Sequence, residues 1–358
     1  MTVYRVRAYL PPTQYMYHLA LVYSGLFELA HAGMADLRIT QRLPWRSDPE
    51  DATTVGLSVS GEGSGERDIA IDLLDRSDVF NHSALAHCTL YFKRNFYPAH
   101  LDALPESLRI KVHPFGLNFA CRTAYSTRRI LTSFAPRLAG SFLRYGLFDR
   151  KTLREEVAKL AQYVSSPEIS VFEEPPETLL EPTVVFQTRV WQEVITPDSP
   201  VEINDGRANL VRALQKGLGS RFVGGLVATP FALEHYPDAV SSASGRRSSY
   251  IEMSKRSLVG IYTRGLHHSL AFKLPEYLAA SKCIVSDPQR NQLPEPLVPL
   301  KHYLVFRTPD ECVSLCEDIL ANPALARAMR QAAWQYYREH VRPDAHIRQL
   351  LERACRLG

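Results

Sequence analysis

No two aspartates in this chain stand in Asp-x-Asp spacing, so it lacks the short carboxylate pair that usually clamps a divalent cation onto a diphosphate. Long apolar runs are also missing, and nothing approaches the ~18 residues of a spanning helix. The opening Met1-Thr2-Val3-Tyr4-Arg5-Val6-Arg7 is too polar for a signal peptide. Cysteine is sparse: positions 88, 121, 283, 312, 316 and 355 form neither a dense disulfide framework nor a paired metal spacing. Cys312 and Cys316 sit one helical turn apart, but no second Cys/His pair completes a tetrahedral set. Reduced thiols, no metal and a cytoplasmic location are therefore expected. The net charge of +4 is too small for a nucleic-acid footprint, yet it suits anionic small molecules.

The remainder is ordinary globular protein, with 45% hydrophobic and 22% charged residues. A chain of 358 residues is long for one core, so two domains are expected. Residues 3–10 read as a strand broken by Pro11 and Pro12, and residues 17–32 as a helix closed by Gly33. Gly61-Glu62-Gly63-Ser64-Gly65 resembles a cofactor loop, but the third glycine of G-x-G-x-x-G is Glu66 here and a strand follows. It reads as a surface turn. Ile69 to Asp75, Leu90 to Phe96 and Ile110 to Phe115 read as further strands. Residues 165–182, rich in Pro and Glu, mark an interdomain connection.

A second α/β run begins at Thr183. Residues 183–186, 222–227 and 259–262 read as strands, with another opening at Ile284, and residues 204–216 as a helix. Thr308-Pro309-Asp310-Glu311 is a capping box, and Asn322-Pro323 repeats the device. The expected division is 1–164 as an N-terminal lobe, 165–182 as connection, 183–340 as a C-terminal lobe, and 341–358 as a terminal helix returning to the N-lobe.

Residues 263–287 carry the strongest signal. A loop with Gly265, His267 and His268 runs into a short helix with Lys273 and Glu276, then into the apolar strand at Ile284 and Val285. Free N–H groups of such a loop and helix start attract phosphate. Lys273 adds a cation, and Glu276 can accept two hydrogen bonds from a ribose diol. The plainer reading of Glu276 is a helix-start carboxylate favouring the dipole. His267 and His268 read either as donor contacts or as exposed loop residues.

This segment resembles the donor-binding signature of the bacterial group 1 type of glycosyltransferase. The resemblance extends to His302-Tyr303-Leu304-Val305-Phe306, Pro309-Asp310-Glu311-Cys312 and Tyr336-Tyr337, and more loosely to Tyr91-Phe92-Lys93-Arg94 and Pro114-Phe115-Gly116-Leu117-Asn118. It implies an α/β fold of two Rossmann-like, doubly wound lobes facing a cleft, the GT-B type. The N-lobe would take the acceptor and the C-lobe a nucleotide-diphosphate sugar as co-substrate. Many retaining members carry a second Glu eight positions before the first, and here that position is His268. The family's phosphate-binding cations correspond to Arg189, after the strand at 184–188, and Arg207, expected in the opening turn of the next helix. Two guanidinium groups on a pyrophosphate would stabilise the leaving group without a metal. The plainer alternative pairs Arg207 with Asp205 or Glu202 on a solvated face.

A general base for an acceptor hydroxyl must come from the N-lobe. Asp75, at a strand end, and His18, near the start of the first helix, are the candidates, with Asp72 and Asp78 as neighbours. No acidic residue lies between Glu106 and Asp149, where Arg109, Lys111, Arg122, Arg128, Arg129, Arg137 and Arg144 alternate with Phe134, Leu138, Phe142 and Leu143. Such a segment, 109–144, suits peripheral contact with the inner membrane face or a lipid-linked acceptor. A lobe helix with solvated arginines is the alternative. The expected activity is metal-independent sugar transfer to a glycan, lipid-linked or small-molecule acceptor in glycan or glycoconjugate synthesis. A nucleotide-sugar epimerase or hydrolase, or a non-catalytic nucleotide-sugar binding protein, is the other reading.

Overall fold

The computed structural model describes residues 3–10, 14–40, 42–46, 49–125, 132, 154, 157–158, 161–192 and 200–356. They fall into two compact units, one of Met1–Ser170, Gln292–Glu295 and Glu339–Gly358, the other of Val171–Asn291 and Pro296–Arg338.

Six strands form the sheet of the first unit: β1 (Tyr4–Tyr9), β2 (Ala35–Thr40), β3 (Thr54–Ser60), β4 (Arg67–Asp72), β5 (Leu90–Lys93) and β6 (Val112–Pro114). Their spatial order is β2-β1-β3-β4-β5-β6. Neighbours run parallel except at β3, which is antiparallel to both β1 and β4. The reversal at β3 has a local cause. Residues 61–66 are too few for a crossover, so β3 and β4 close as a hairpin. Gly63 supplies a positive φ of 77° there, and Ser64 Oγ accepts the Gly61 N–H at 2.7 Å. The glycine-rich stretch is thus the turn that its sequence suggested.

The first helix, Met16–His31, is buried along most of its length, in keeping with its nearly all-round apolar sequence. Part of that burial comes from the terminal helix, Pro343–Arg356, which packs on it. Gly25 marks the crossing: a Cβ there would stand 2.3 Å from the Pro343 carbonyl oxygen and 2.4 Å from Ile347.

In the second unit the strands are β7 (Glu181–Thr188), β8 (Phe222–Leu226), β9 (Ser257–Tyr262), β10 (Cys283–Ser286) and β11 (Leu304–Val305), ordered β8-β7-β9-β10-β11 and all parallel. Val184, Phe186, Val259, Ile261, Cys283 and Val285 form the middle of its apolar core. Both helix starts read from capping residues are present. Thr308 Oγ1 accepts the Glu311 N–H at 3.2 Å while Glu311 accepts the Arg307 N–H at 2.7 Å, and Asn322 Oδ1 accepts the Leu325 N–H at 3.1 Å. From β7 the chain goes to β8 on one side and then crosses back to β9 on the other. The sheet therefore reverses direction between β7 and β9, where a parallel sheet opens a crevice at its carboxyl edge.

Among the described residues no helix is long and apolar enough to cross a membrane. None of the six cysteines is in a disulfide. Within the basic stretch, Arg128, Arg129, Phe134, Arg137, Leu138, Phe142, Leu143 and Arg144 lie outside the described residues.

Candidate functional site

The carboxyl ends of β7 and β9 are joined by one side chain. Arg207, in the helix Pro200–Leu218, donates from Nη1 to the Arg189 carbonyl at 2.7 Å and from Nη2 to the Arg264 carbonyl at 2.9 Å. Arg207 stands in the third turn of this helix rather than in the opening turn expected. Proline suits a helix start, so the helix begins at Pro200, before the apolar period becomes visible. The guanidinium is 7% exposed, and its Nε has no partner among the described residues. Carbonyl groups take two of its hydrogens without neutralising its charge. Burial accordingly pushes its pKa down to about 10, against the pull of Asp287. The alternative pairing with Asp205 is not formed: Asp205 accepts from the Tyr236 hydroxyl at 2.7 Å.

Lys273 reaches the same edge and donates from Nζ to the Gln187 carbonyl. Its ammonium stands 5.2 Å from the ring centre of Tyr250 and 6.0 Å from that of Phe186. Burial, then Arg207, and further Arg247 and Arg189 bring its pKa down to about 7, with Glu276 opposing. Arg189 itself is exposed, directly after β7.

Glu276 is 4% exposed and faces a cation the sequence reading did not include. Arg247, the first residue of the helix Arg247–Arg256, donates from Nη1 to Glu276 Oε2 at 3.0 Å and from Nη2 to Oε1. The expected open carboxylate is thus a forked ion pair. Arg247 lies over the Phe172 and Tyr250 rings, at 5.4 and 5.8 Å.

The loop differs from expectation as well. The Gly265 N–H donates to the Ser269 carbonyl at 2.9 Å, the Ser269 N–H to that of Leu266 at 3.0 Å, and the Ala271 N–H to the Tyr262 hydroxyl at 2.7 Å. These three donors are spent on closing the turn. Gly265 permits the closure, since a Cβ there would stand 2.3 Å from Ser269 Oγ. His267 and His268 hold positive φ angles of 57° and 56°. The His268 ring lies against the Arg264 guanidinium, and its carbonyl accepts from Asn291 Nδ2 at 2.6 Å. Past the end of β10, Asp287 accepts the Arg264 N–H at 3.0 Å. Burial raises its pKa to about 6.

Five cations, Arg189, Arg207, Arg247, Arg264 and Lys273, therefore gather around two carboxylates, Glu276 and Asp287, leaving a formal excess of three positive charges. Arg247, Arg264 and Asp287 were not assigned roles from sequence. Arg247 had one signal, a cation opening a helix after the Ser/Gly run 241–245.

In the first unit, Arg94 donates from Nη1 to Asp75 Oδ1 at 2.6 Å and to the Leu73 carbonyl at 3.3 Å. Asp75 is half exposed, and His18 shares this neighbourhood. Burial, then Arg94, lowers the His18 pKa, with Asp75 opposing, so the imidazole is neutral at neutral pH and can accept a proton. Asn118 Nδ2 holds the His18 carbonyl at 2.8 Å. Asp72 is removed from candidacy as a base. It is fully buried and accepts from Lys93 Nζ at 2.6 Å and the Tyr91 hydroxyl at 2.5 Å. Asp78 takes the fork of Arg76, which holds its pKa at about 2. Among the described residues no three His, Cys, Asp or Glu side chains gather as a metal site would require.

Residues 207–352 match the family model described as glycosyl transferase-like, from the bridging arginine to the terminal helix. Over this segment the chain is similar to glycosyl transferases. The group 1 resemblance read from residues 263–287 lies inside the matched stretch. The comparison with curated proteins finds no match. Solved structures similar to the chain include Anabaena HepE in complex with UDP, at 11% identity over 74% of this chain and 91% of that one, with a TM-score of 0.37. Sucrose-phosphate synthase from Thermosynechococcus elongatus aligns at 14% identity over 94% and 91%, with a TM-score of 0.38. The C-terminal domain of a group 1 family glycosyl transferase from Francisella tularensis aligns at 11% over 47% and 94%, with a TM-score of 0.34.

Proposed function

We propose that this glycosyltransferase moves a sugar from a nucleotide-diphosphate sugar to the hydroxyl of a glycan, lipid-linked or small-molecule acceptor. The observation that carries the reading is the uncompensated positive charge at the β7/β9 switch point. A diphosphate there meets Arg189, Arg207 and Lys273, whose attraction for it is greatest when the leaving phosphate becomes most negative. That is the differential stabilisation a glycosyl transfer needs, and it calls for no divalent cation. Glu276 takes the ribose. In the first unit the neutral imidazole of His18 accepts the acceptor's proton, and Asp75 stabilises the imidazolium that results.

Thermal shift of the purified protein against UDP, GDP, dTDP, ADP and CMP, with and without magnesium, tests this. One nucleoside diphosphate is expected to stabilise by about 2.7 kcal/mol at a hundredfold its Kd. The shift should be indifferent to magnesium and lost in Arg207→Met. No shift with any nucleotide would overturn the donor assignment. Binding without transfer to any acceptor would leave a nucleotide-sugar binding protein.

A further inference from the structure

Besides the cations assigned to the diphosphate, the site holds Arg264, and its place follows from the order of the charges. Glu276 and Arg247 act on Lys273, Lys273 is next to Arg207, and Arg207 is next to Arg264 and Asp287. A nucleotide sugar is linear too, ribose then diphosphate then sugar. With the ribose at Glu276 and the diphosphate at Lys273 and Arg207, the sugar falls at Arg264.

The surroundings of Arg264 are those of a built subsite. Its N–H is held by Asp287 at 3.0 Å and its carbonyl by Arg207 at 2.9 Å, so the side chain leaves from a fixed root. The Asp287 carboxylate is taken up by that N–H and by Gln289 Nε2 at 2.6 Å, while the guanidinium meets the His268 ring. A guanidinium only donates, so the imidazole nitrogen facing it brings a lone pair and no negative charge. His267 and His268 hold φ angles of 57° and 56°, a costly backbone for residues with a Cβ that persists only where the surroundings impose it. Arg290 Nη2 holds the His267 carbonyl at 3.1 Å, and Asn291 Nδ2 holds that of His268 at 2.6 Å. Asn291 is 8% exposed, and its Oδ1 has no partner among the described residues. A guanidinium with no carboxylate on it and a buried open acceptor are completed together by a ligand that carries a carboxylate and a hydroxyl.

We propose that Arg264 binds a carboxylate on the transferred sugar, so that the donor is a nucleotide-diphosphate uronic acid, with Asn291 Oδ1 accepting from one of its hydroxyls. The inference rests on the nucleotide-sugar reading above and names the sugar class of that donor. A uronate gives Arg264 two charge-assisted bonds where a neutral hexose gives a hydroxyl.

Calorimetric titration tests this with UDP-glucuronic acid beside UDP-glucose, GDP-mannuronic acid beside GDP-mannose, and UDP and GDP, which carry no sugar. Wild type should bind one uronate roughly tenfold to a hundredfold more tightly than its neutral partner. In Arg264→Gln that preference should fall below about threefold, with the neutral donor and the free diphosphate affected much less than the uronate. Arg264→Lys keeps the charge without the fork and should retain an intermediate preference, which covers the case in which Arg264→Gln fails to fold. An equal loss of uronate, hexose and free diphosphate in Arg264→Gln would make Arg264 a phosphate contact and overturn the inference. A wild type that binds nucleotides but shows no preference for the uronate, or prefers the hexose, overturns this inference alone. A wild type that binds no nucleotide overturns the nucleotide-sugar reading as well.

Discussion

Each unit buries a cation at the carboxyl edge of its sheet, and the two are satisfied in different ways. In the first unit, Lys93 meets Asp72 at 2.6 Å, and Tyr91 and the Leu74 N–H complete the carboxylate's hydrogen bonds. Charge and hydrogen bonding are both closed within the chain. In the second unit, Arg207 and Lys273 donate to the carbonyls of Arg189, Arg264 and Gln187, which engages part of their hydrogens and leaves their charge. Burying a charge is costly, so an arrangement that withholds the neutralising anion is stability given up. Under the function proposed above, the same chemistry is structural where a carboxylate completes it and serves the donor where only carbonyls do.

The contrast is broken most forcefully at Lys93. Lys93→Met should cost about 3–5 kcal/mol in urea unfolding, because Asp72 is left as a buried anion without its cation. A loss no larger than that of a surface ion pair would erase the distinction. Arg207→Met should behave in the opposite way: donor kcat/KM falls about 10²–10³-fold, while the unfolding midpoint holds or rises as an uncompensated buried charge disappears.

Two titrations sharpen the comparison with smaller effects. His346, buried in the first unit against Phe115, donates from Nδ1 to the His340 carbonyl at 2.8 Å and stays neutral. Burial takes its pKa from 6.5 down to about 4. The unfolded imidazole therefore binds a proton that the folded one refuses, and stability falls as pH drops from 6.5 toward 4. The expected slope is about 1.4 kcal/mol per pH unit, and His346→Phe should flatten it in a pH series of urea melts. Lys273, with its pKa at about 7, must be protonated to hold a diphosphate. Nucleoside diphosphate affinity should be level below pH 7 and fall about tenfold per unit above it. A wild-type profile as flat as that of Lys273→Met would remove Lys273 from the phosphate site.

Much of the second unit was legible because its signals are local. Thr308 and Asn322 cap the helices their spacing announced, and β7, β9 and β10 lie on the apolar runs read as strands. The antiparallel β3 was not read, since strand direction depends on which neighbour the chain returns to. Lys273 and Glu276 were singled out from one short motif. Arg247 was not, because its partner lies 29 residues away and nothing in residues 241–247 points toward Glu276. Asp72 and Asp75 looked equivalent as strand-end carboxylates, and only the third dimension separates the one closed on Lys93 from the half-exposed one held by Arg94.

The sequence by itself determined the two α/β units, the Gly61–Gly65 turn, the helix starts and the glycosyl transferase-like match of residues 207–352, because capping, turn geometry and side-chain period act over a few residues. Tertiary structure alone decided which charges meet. An ion pair is set by where two distant backbones place their side chains, and Arg207 at the β7/β9 reversal and Arg247 on Glu276 come together only once the parallel sheet has ordered its strands.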